Sequence, residues 1–119
     1  MKLHDRTFEI IQAMYRGLPF LDNETGERIY VPDILDRLIN AFQMVERLMY
    51  KTPTAVSCTK YDSFLLESKN LLLSIPVSDF KVKVKNLDCY GKEILLRNIE
   101  NVNLKSDDDS LVDYARILT

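Results

Sequence analysis

The sequence predicts an α+β fold, and three observations about its apolar and charged residues support this class. Apolar side chains recur every three or four residues over residues 5–16 and 32–50, which indicates amphipathic helices. Residues 80–85 alternate strictly between apolar residues and lysine, which indicates a half-buried strand. An acidic run then precedes a last apolar stripe. The predicted order is an N-terminal helix, a short hairpin, a long central helix, a small antiparallel sheet and a short C-terminal helix, which is typical of α+β rather than alternating α/β proteins.

The N-terminal segment predicts a helix followed by a tight reversal of the chain. Asp5 can cap the first helix, and Gly17 can adopt the left-handed conformation that ends it. Residues 19–21 and 27–31 then flank an acidic segment, in which Gly26 can take the positive φ of a bulged hairpin loop. We predict a short hairpin here, with a compact loop as the alternative.

The longest apolar stripe predicts a central helix over residues 32–50. Pro32 at the first helical position gives up no hydrogen bond. The apolar arc is wider than the roughly 100° that a surface helix needs, so we expect the helix to pack on more than one side. It is either the centre of a monomer core or part of an interface with a second copy. The residues assigned to that interface are Leu35, Leu38, Phe42, Val45 and Met49.

The second half of the chain is predicted to change from helix to sheet. Residues 51–59 form a connector, and residues 61–75 form a helix, with two short strands as the alternative. Pro76 ends that element. Further segments follow the strand at 80–85: a turn at 88–91, a second strand at 93–96, an extended segment at 99–104 after a bulge, and a closing helix at 111–118 behind the carboxylates of residues 107–109.

Length and composition describe one ordinary globular domain over residues 1–119. A chain of 119 residues can bury about two-thirds of the surface that its unfolded form exposes, so it needs neither metal nor disulfide to fold. The net charge of −2 gives no global reason to bind nucleic acid or an anionic membrane. Cys58 and Cys89 suit a reducing compartment, and the sequence shows neither a secretory leader nor a long apolar run. We therefore expect a cytoplasmic protein, or one made in a host cytoplasm.

The residue types form no recognisable catalytic or metal-binding constellation. His4 is the one histidine, so a nucleophile–base site or a zinc site lacks its partners. Three scattered glycines cannot form a phosphate-binding loop. Helix capping explains the acidic cluster better than a cation site does; the cluster comprises Asp107, Asp108, Asp109 and Asp113. We expect no cofactor and no metal, and a small hydrolase with two converging carboxylates ranks third among the functions.

A row of lysines on the predicted strand is the candidate nucleic-acid surface. Side chains two residues apart on a strand project together about 6.5 Å from one another, which is comparable to phosphate spacing. The residues assigned to this surface are Lys81, Lys83, Lys85 and Arg97, and Lys60 and Lys92 could extend it. Lysines on an exposed strand also guard against edge-to-edge aggregation, and this is the favoured interpretation.

The acidic segment of the predicted hairpin carries a short resemblance to a known ligand. Its residues are Asp22, Asn23, Glu24, Thr25, Gly26 and Glu27. They resemble the D-x-E-T-G-E hairpin that the kelch propeller of the oxidative-stress ubiquitin-ligase adaptor binds. In that family arginines of the propeller contact the two glutamates, which implies that Glu24 and Glu27 would contact a partner here. The same residues are good turn formers, which is the alternative explanation. The candidate residues of this acidic hairpin are Asp22, Glu24 and Glu27.

These observations predict a non-enzymatic protein-interaction module of the adaptor, accessory or inhibitor type. Its expected partner is another protein or a second copy of itself, as a homodimer, and no membrane partner is expected. A small chain without catalytic parts is typical of viral or mobile-element accessory proteins. A nucleic-acid-binding regulator that uses the lysine strand is the alternative.

Overall fold

The structure, a computed structural model, describes residues 3–22, 25–51, 55–106 and 109–119, and the side chains of residues 7–22, 25–50, 59–106 and 109–119. The described residues form six helices and one two-stranded hairpin. In order they are α1 (Leu3–Arg16), β1 (Phe20–Leu21), β2 (Arg28–Ile29), α2 (Ile34–Lys51), α3 (Ala55–Leu73), α4 (Val77–Val84), α5 (Cys89–Ser106) and α6 (Val112–Leu118). The predicted α+β fold is therefore wrong, because the described part of the second half is helical where a small sheet is predicted.

The chain divides into two compact units, Met1–Lys60 and Tyr61–Thr119. The first contains α1, the hairpin and α2, and the second contains most of α3 together with α4, α5 and α6. The assignment of residues 1–119 to one domain stays a prediction.

Helices α1 and α2 pack together in the first unit. The side chains that they bury recur at steps of three and four, as amphipathic helices require. Those with at most 8% exposure are Phe8, Ile11, Met14, Tyr15, Leu35, Leu38, Ala41, Phe42 and Val45. Both helices of the first half are thus confirmed.

The starts of these two helices differ from the prediction. Asp33 caps α2, because the backbone N–H groups of Leu35 and Asp36 donate to its Oδ1 at 2.9 and 3.2 Å. Pro32 therefore precedes the cap and is not the first helical residue. Asp5 lies within α1 and so is not its cap.

Gly17 ends α1 in the left-handed conformation that the sequence predicts, with a φ of +76°. Its N–H donates to the Met14 carbonyl oxygen at 3.2 Å, and the Leu18 N–H donates to the Ala13 carbonyl oxygen at 2.9 Å. These are the two hydrogen bonds of a Schellman motif, which satisfies carbonyl groups that the end of a helix leaves unpaired.

Replacing Gly17 by alanine tests the packing against this turn. A positive φ costs a residue with a side chain about 1–2 kcal/mol. An added β-carbon would also lie 2.9 Å from Nη1 of Arg37, and that nitrogen is held in place by donating to the Pro32 carbonyl oxygen at 2.7 Å. Gly26→Ala is the matched control, because its φ is +72° and an added β-carbon meets nothing within 4 Å. We expect urea melts to show a loss about 1 kcal/mol larger for Gly17→Ala, and equal losses would contradict the Arg37 contact.

The predicted hairpin is confirmed. β1 and β2 pair antiparallel, with Phe20 opposite Ile29 and Leu21 opposite Arg28. Gly26 has the predicted positive φ, and it allows the chain to reverse without steric strain.

The ambiguous segment at residues 61–75 is mostly helical, as favoured, and it belongs to α3. The connector predicted for residues 51–59 is wrong at residue 51 and at residues 55–59, because α2 continues to Lys51 and α3 begins at Ala55; residues 52–54 lie outside the described residues. The buried side chains of α3 in the second unit are Phe64, Leu65, Ser68 and Leu72.

The strand predicted for residues 80–85 is wrong, because these residues lie in and just after α4. Phe80 and Val84, one helical turn apart, have 0% and 4% exposure, whereas Val82 has 62%. A strand would place all three on one face, so the burial follows a period of 3.6 rather than 2. Pro76 at the N-cap and Asp79 in the first turn are helix-start features.

The turn, second strand and extended segment predicted for residues 88–104 are also wrong, because α5 contains almost all of them. Asp88 caps this helix: the Gly91 N–H donates to its Oδ1 at 2.7 Å. The apolar stripe is interrupted by Asn98, which is fully buried and whose side-chain amide donates to the Ile94 carbonyl oxygen at 2.8 Å. That polar residue in the buried face conceals the helical period.

The predicted C-terminal helix is confirmed as α6. Its buried Tyr114 packs edge-to-face on Phe80, with ring centroids 4.9 Å apart, and its hydroxyl donates to the Ile75 carbonyl oxygen. The N-cap is Leu111, without a side-chain hydrogen bond, so carboxylate capping by Asp109 is not observed. Residues 107 and 108 lie outside the described residues.

Candidate binding groove

A groove of about 420 Å³ in the second unit combines a basic rim with an apolar floor. Three helices supply its lining: α4 and α5 carry lysines, and the end of α6, which packs on both helices, adds an arginine. The volume falls within the range of about 300–1,000 Å³ typical of ligand pockets. The lining residues are Lys81, Val84, Lys85, Lys92, Arg116 and Ile117.

Helix geometry explains why two of these lysines converge. Lys81 and Lys85 are four residues apart on and just after α4, so they lie on the same side of the helix. Both are exposed. Lys83 points elsewhere, because two residues on a helix correspond to a rotation of about 200°.

The described lining of the groove contains no acidic side chain that would compensate its positive charge. All four of its polar lining residues are cations. Arg116 has an acidic neighbour in Asp113, 3.9 Å away, with side-chain exposures of 77% and 70%. An ion pair that long and that exposed is weak, so Arg116 remains able to bind another anion.

The structure brings together only part of the predicted nucleic-acid surface. Lys81 and Lys85 line the groove, and so does Lys92, which the sequence suggests as an extension. Lys83 and Arg97 are not among the lining residues. Their assignment to this surface depends on extended strands, whereas the structure has the helices α4 and α5 in this region. The four assigned residues therefore do not share one face as predicted. Of the four, only Lys81 on α4 and Lys85 just after it line the groove.

The groove also differs from the predicted basic surface at Lys60, Arg116 and Ile117. Lys60 is not among the lining residues of the groove, and in the first unit its ammonium lies over the Phe8 ring, 5.2 Å from the centroid. Arg116 and Ile117 were not predicted from the sequence. Only the packing of α6 brings them to the groove, although Arg116 in the last turn of a short amphipathic helix is a recognisable helix-end residue.

The residues predicted to form a partner interface on α2 are mostly buried within the chain itself. Exposure is at most 1% for Leu35, Leu38, Phe42 and Val45, and Met49 is half-buried. This burial favours the alternative of a monomer core. A partner of the folded chain would reach Met49 but not the other four.

The acidic hairpin presents charged and apolar side chains at its turn. Asp22 is half-buried, Glu27 is exposed, and Glu24 lies outside the described residues. Leu21 and Tyr30 beside them have 56% and 57% exposure. The hairpin therefore combines carboxylates with exposed apolar surface.

A second groove, of about 320 Å³, lies between α3 and α5 in the second unit. Its two charged residues already pair with each other, because Nζ of Lys105 is 2.9 Å from Oδ2 of Asp62. The groove therefore has no net charge to attract an ionic ligand. Its other lining residues are Tyr61, Leu65, Asn101 and Leu104.

The described residues contain no group of three or more His, Cys, Asp or Glu side chains that could hold a metal ion. The side chains of His4 and Cys58 lie outside the described part, and Cys89 is free and exposed. Among the helices described, none is both long and apolar enough to cross a lipid bilayer.

Comparison with protein-family models, with curated proteins and with solved structures found no match for this chain.

Proposed function

We propose that this chain is a non-enzymatic protein-interaction module whose basic groove holds an acidic segment of a partner protein. One observation carries the proposal: four cationic side chains, on or next to three helices, line one groove together with the apolar Val84 and Ile117. Cations at a rim attract carboxylates, and an apolar floor accepts the aliphatic side chains between them. An acidic peptide that alternates charged and apolar residues offers both.

The lining of this groove matches an acidic peptide better than it matches a nucleic acid. A nucleic acid binds along a continuous basic track, and single strands also stack on aromatic rings. Here four cations line one short groove, none of its lining residues is aromatic, and Arg97 is not among them. The chain also carries a net charge of −2, which repels a long polyanion.

The proposal places the protein in the cytoplasm. Cys89 is exposed and free, which suits a compartment that keeps thiols reduced. Both an acidic protein partner and a reduced Cys89 thiol are compatible with the cytoplasm.

Peptide binding to the groove can be measured by fluorescence anisotropy. The probe is a labelled peptide of alternating Glu and Leu, and a peptide of alternating Gln and Leu is its uncharged control. We expect the Glu peptide to bind, and the variant Lys81→Glu/Lys85→Glu to weaken its binding by at least about tenfold, because two rim charges change sign. Lys83→Glu is the matched control on the same helix, and it should change the affinity by less than about twofold.

Two outcomes would contradict the proposal. A loss of binding free energy for Lys83→Glu that is about half that of the double variant would show that the net charge matters rather than the groove, because Lys83→Glu reverses one charge and the double variant two. Tighter binding of labelled oligothymidylate than of the Glu peptide, with a log–log salt slope of about 0.7 for each contacted phosphate, would favour the nucleic-acid function instead.

A further inference from the structure

We infer that the groove binds the acidic hairpin of a second copy of this chain, so that the partner in the proposed function is the protein itself. This inference rests on the proposed function. It names the occupant of the groove by the charge and apolar surface that the same chain carries elsewhere.

The hairpin has the composition that the groove requires. From residue 20 to residue 29 it carries three carboxylates, those of Asp22, Glu24 and Glu27, against the single guanidinium of Arg28. Side chains alternate along each strand, so Asp22 and Glu27 share a face with the half-buried Phe20 and Ile29. Carboxylates beside this apolar pair match an apolar floor next to cations.

The backbone of the hairpin holds Asp22 and Glu27 close together before any partner arrives. The Asp22 N–H donates to the Glu27 carbonyl oxygen at 2.7 Å, and the Gly26 N–H donates to the Asp22 carbonyl oxygen at 2.8 Å. The Glu27 N–H donates in turn to Oγ1 of Thr25 at 3.2 Å. Asp22 and Glu27 therefore lie across from each other at the end of the strand pair. A preorganised loop loses less conformational entropy when it binds.

Each copy of the chain carries both surfaces, which is the requirement for a closed dimer. The hairpin belongs to the first unit and the groove to the second. A reciprocal exchange of hairpins between two copies would give two identical contacts related by a two-fold axis. Charge complementarity then acts twice in each dimer.

Sedimentation velocity of full-length chains tests this exchange by charge reversal. Glu27→Lys puts a cation on the hairpin, and Lys85→Glu puts an anion in the groove; both side chains are exposed, so the fold should tolerate each change. We expect wild type to dimerise, each single variant to dimerise at least about tenfold more weakly, and their equimolar mixture to recover the wild-type affinity. In the mixed dimer one contact pairs the two substituted positions with their charges exchanged, and the other contact keeps the wild-type pair.

Controls separate this inference from the proposed function. Lys83→Glu should dimerise like wild type, and raising the salt from about 0.1 M to about 1 M should weaken the wild-type dimer, because the Debye length falls from roughly 10 to 3 Å. A wild-type chain that stays monomeric but binds the Glu–Leu peptide would overturn the inference and leave the proposed function standing. A dimer that the mixture does not restore would also overturn it, since another surface would then hold the copies together. Failure of both self-association and peptide binding would overturn both.

Discussion

Replacing Phe42 by alanine is expected to lower the free energy of unfolding by about 3–5 kcal/mol, or to prevent soluble expression. Phe42 is 0% exposed in the middle of α2, among the other fully buried residues of that helix. Alanine would remove most of a ring from a close-packed interior and leave a cavity that the neighbouring helices can fill only in part. Urea unfolding followed by far-ultraviolet circular dichroism measures the change.

Two companion variants make this result interpretable. Phe42→Leu retains most of the apolar volume and should cost less than about 2 kcal/mol. Arg47→Ala, on the exposed side of the same helix, should cost less than about 0.5 kcal/mol. A loss below about 1 kcal/mol for Phe42→Ala would show that the buried face of α2 has been assigned to the wrong residues.

The substitution Val84→Asp is expected to destabilise the chain by at least about 3 kcal/mol, whereas Val82→Asp should cost less than about 1 kcal/mol. Val84 is 4% exposed and Val82 is 62% exposed. At position 84 the new carboxylate would lose most of its hydration, and the cations that line the groove around Val84 would offset only part of that cost. At position 82 it would stay in water, near the C-terminal end of α4, where the helix dipole disfavours it slightly.

This pair of variants separates the helix from the strand that the alternating sequence predicts. In a strand the two valines share one face, and both substitutions would be similarly damaging. In α4 they lie on different sides, so their unfolding free energies should differ by about 2 kcal/mol or more. Similar losses for the two variants would contradict the helical assignment and, with it, the convergence of Lys81 and Lys85.

Most elements that the sequence predicts correctly have a regular apolar stripe or an unambiguous turn residue. The buried residues of α1 recur over about two turns and those of α2 over about three, and Gly17 and Gly26 mark reversals that require a positive φ. α6 is predicted correctly although it has only 7 residues, because a run of carboxylates precedes it in the sequence. α4 is only 8 residues long, so a few alternating residues outweigh its helical period. In α5 the buried Asn98 interrupts the stripe, and its partner is a carbonyl of the same helix that no residue pattern reveals.

The candidate site could be predicted only in part, for the same reason. Lysine content alone draws attention to Lys81 and Lys85, but the assumed strand adds Lys83 and Arg97, which α4 and α5 direct away from the groove. Arg116 joins the site because α6 packs against α4 and α5. Such a contact between residues far apart in the chain depends on tertiary packing and leaves no local pattern in the sequence.

The basic groove is tested most directly by a ¹⁵N heteronuclear NMR titration of the wild-type chain with the Glu–Leu peptide. The side-chain Nε–H signals of arginine provide an internal comparison, because Arg116 lines the groove and Arg97 does not. We expect the Arg116 signal and the backbone amides near Lys81, Lys85 and Lys92 to shift with one common affinity, while the Arg97 signal does not shift. Larger shifts at Arg97 than at Arg116, or shifts spread evenly over all basic residues, would contradict this expectation.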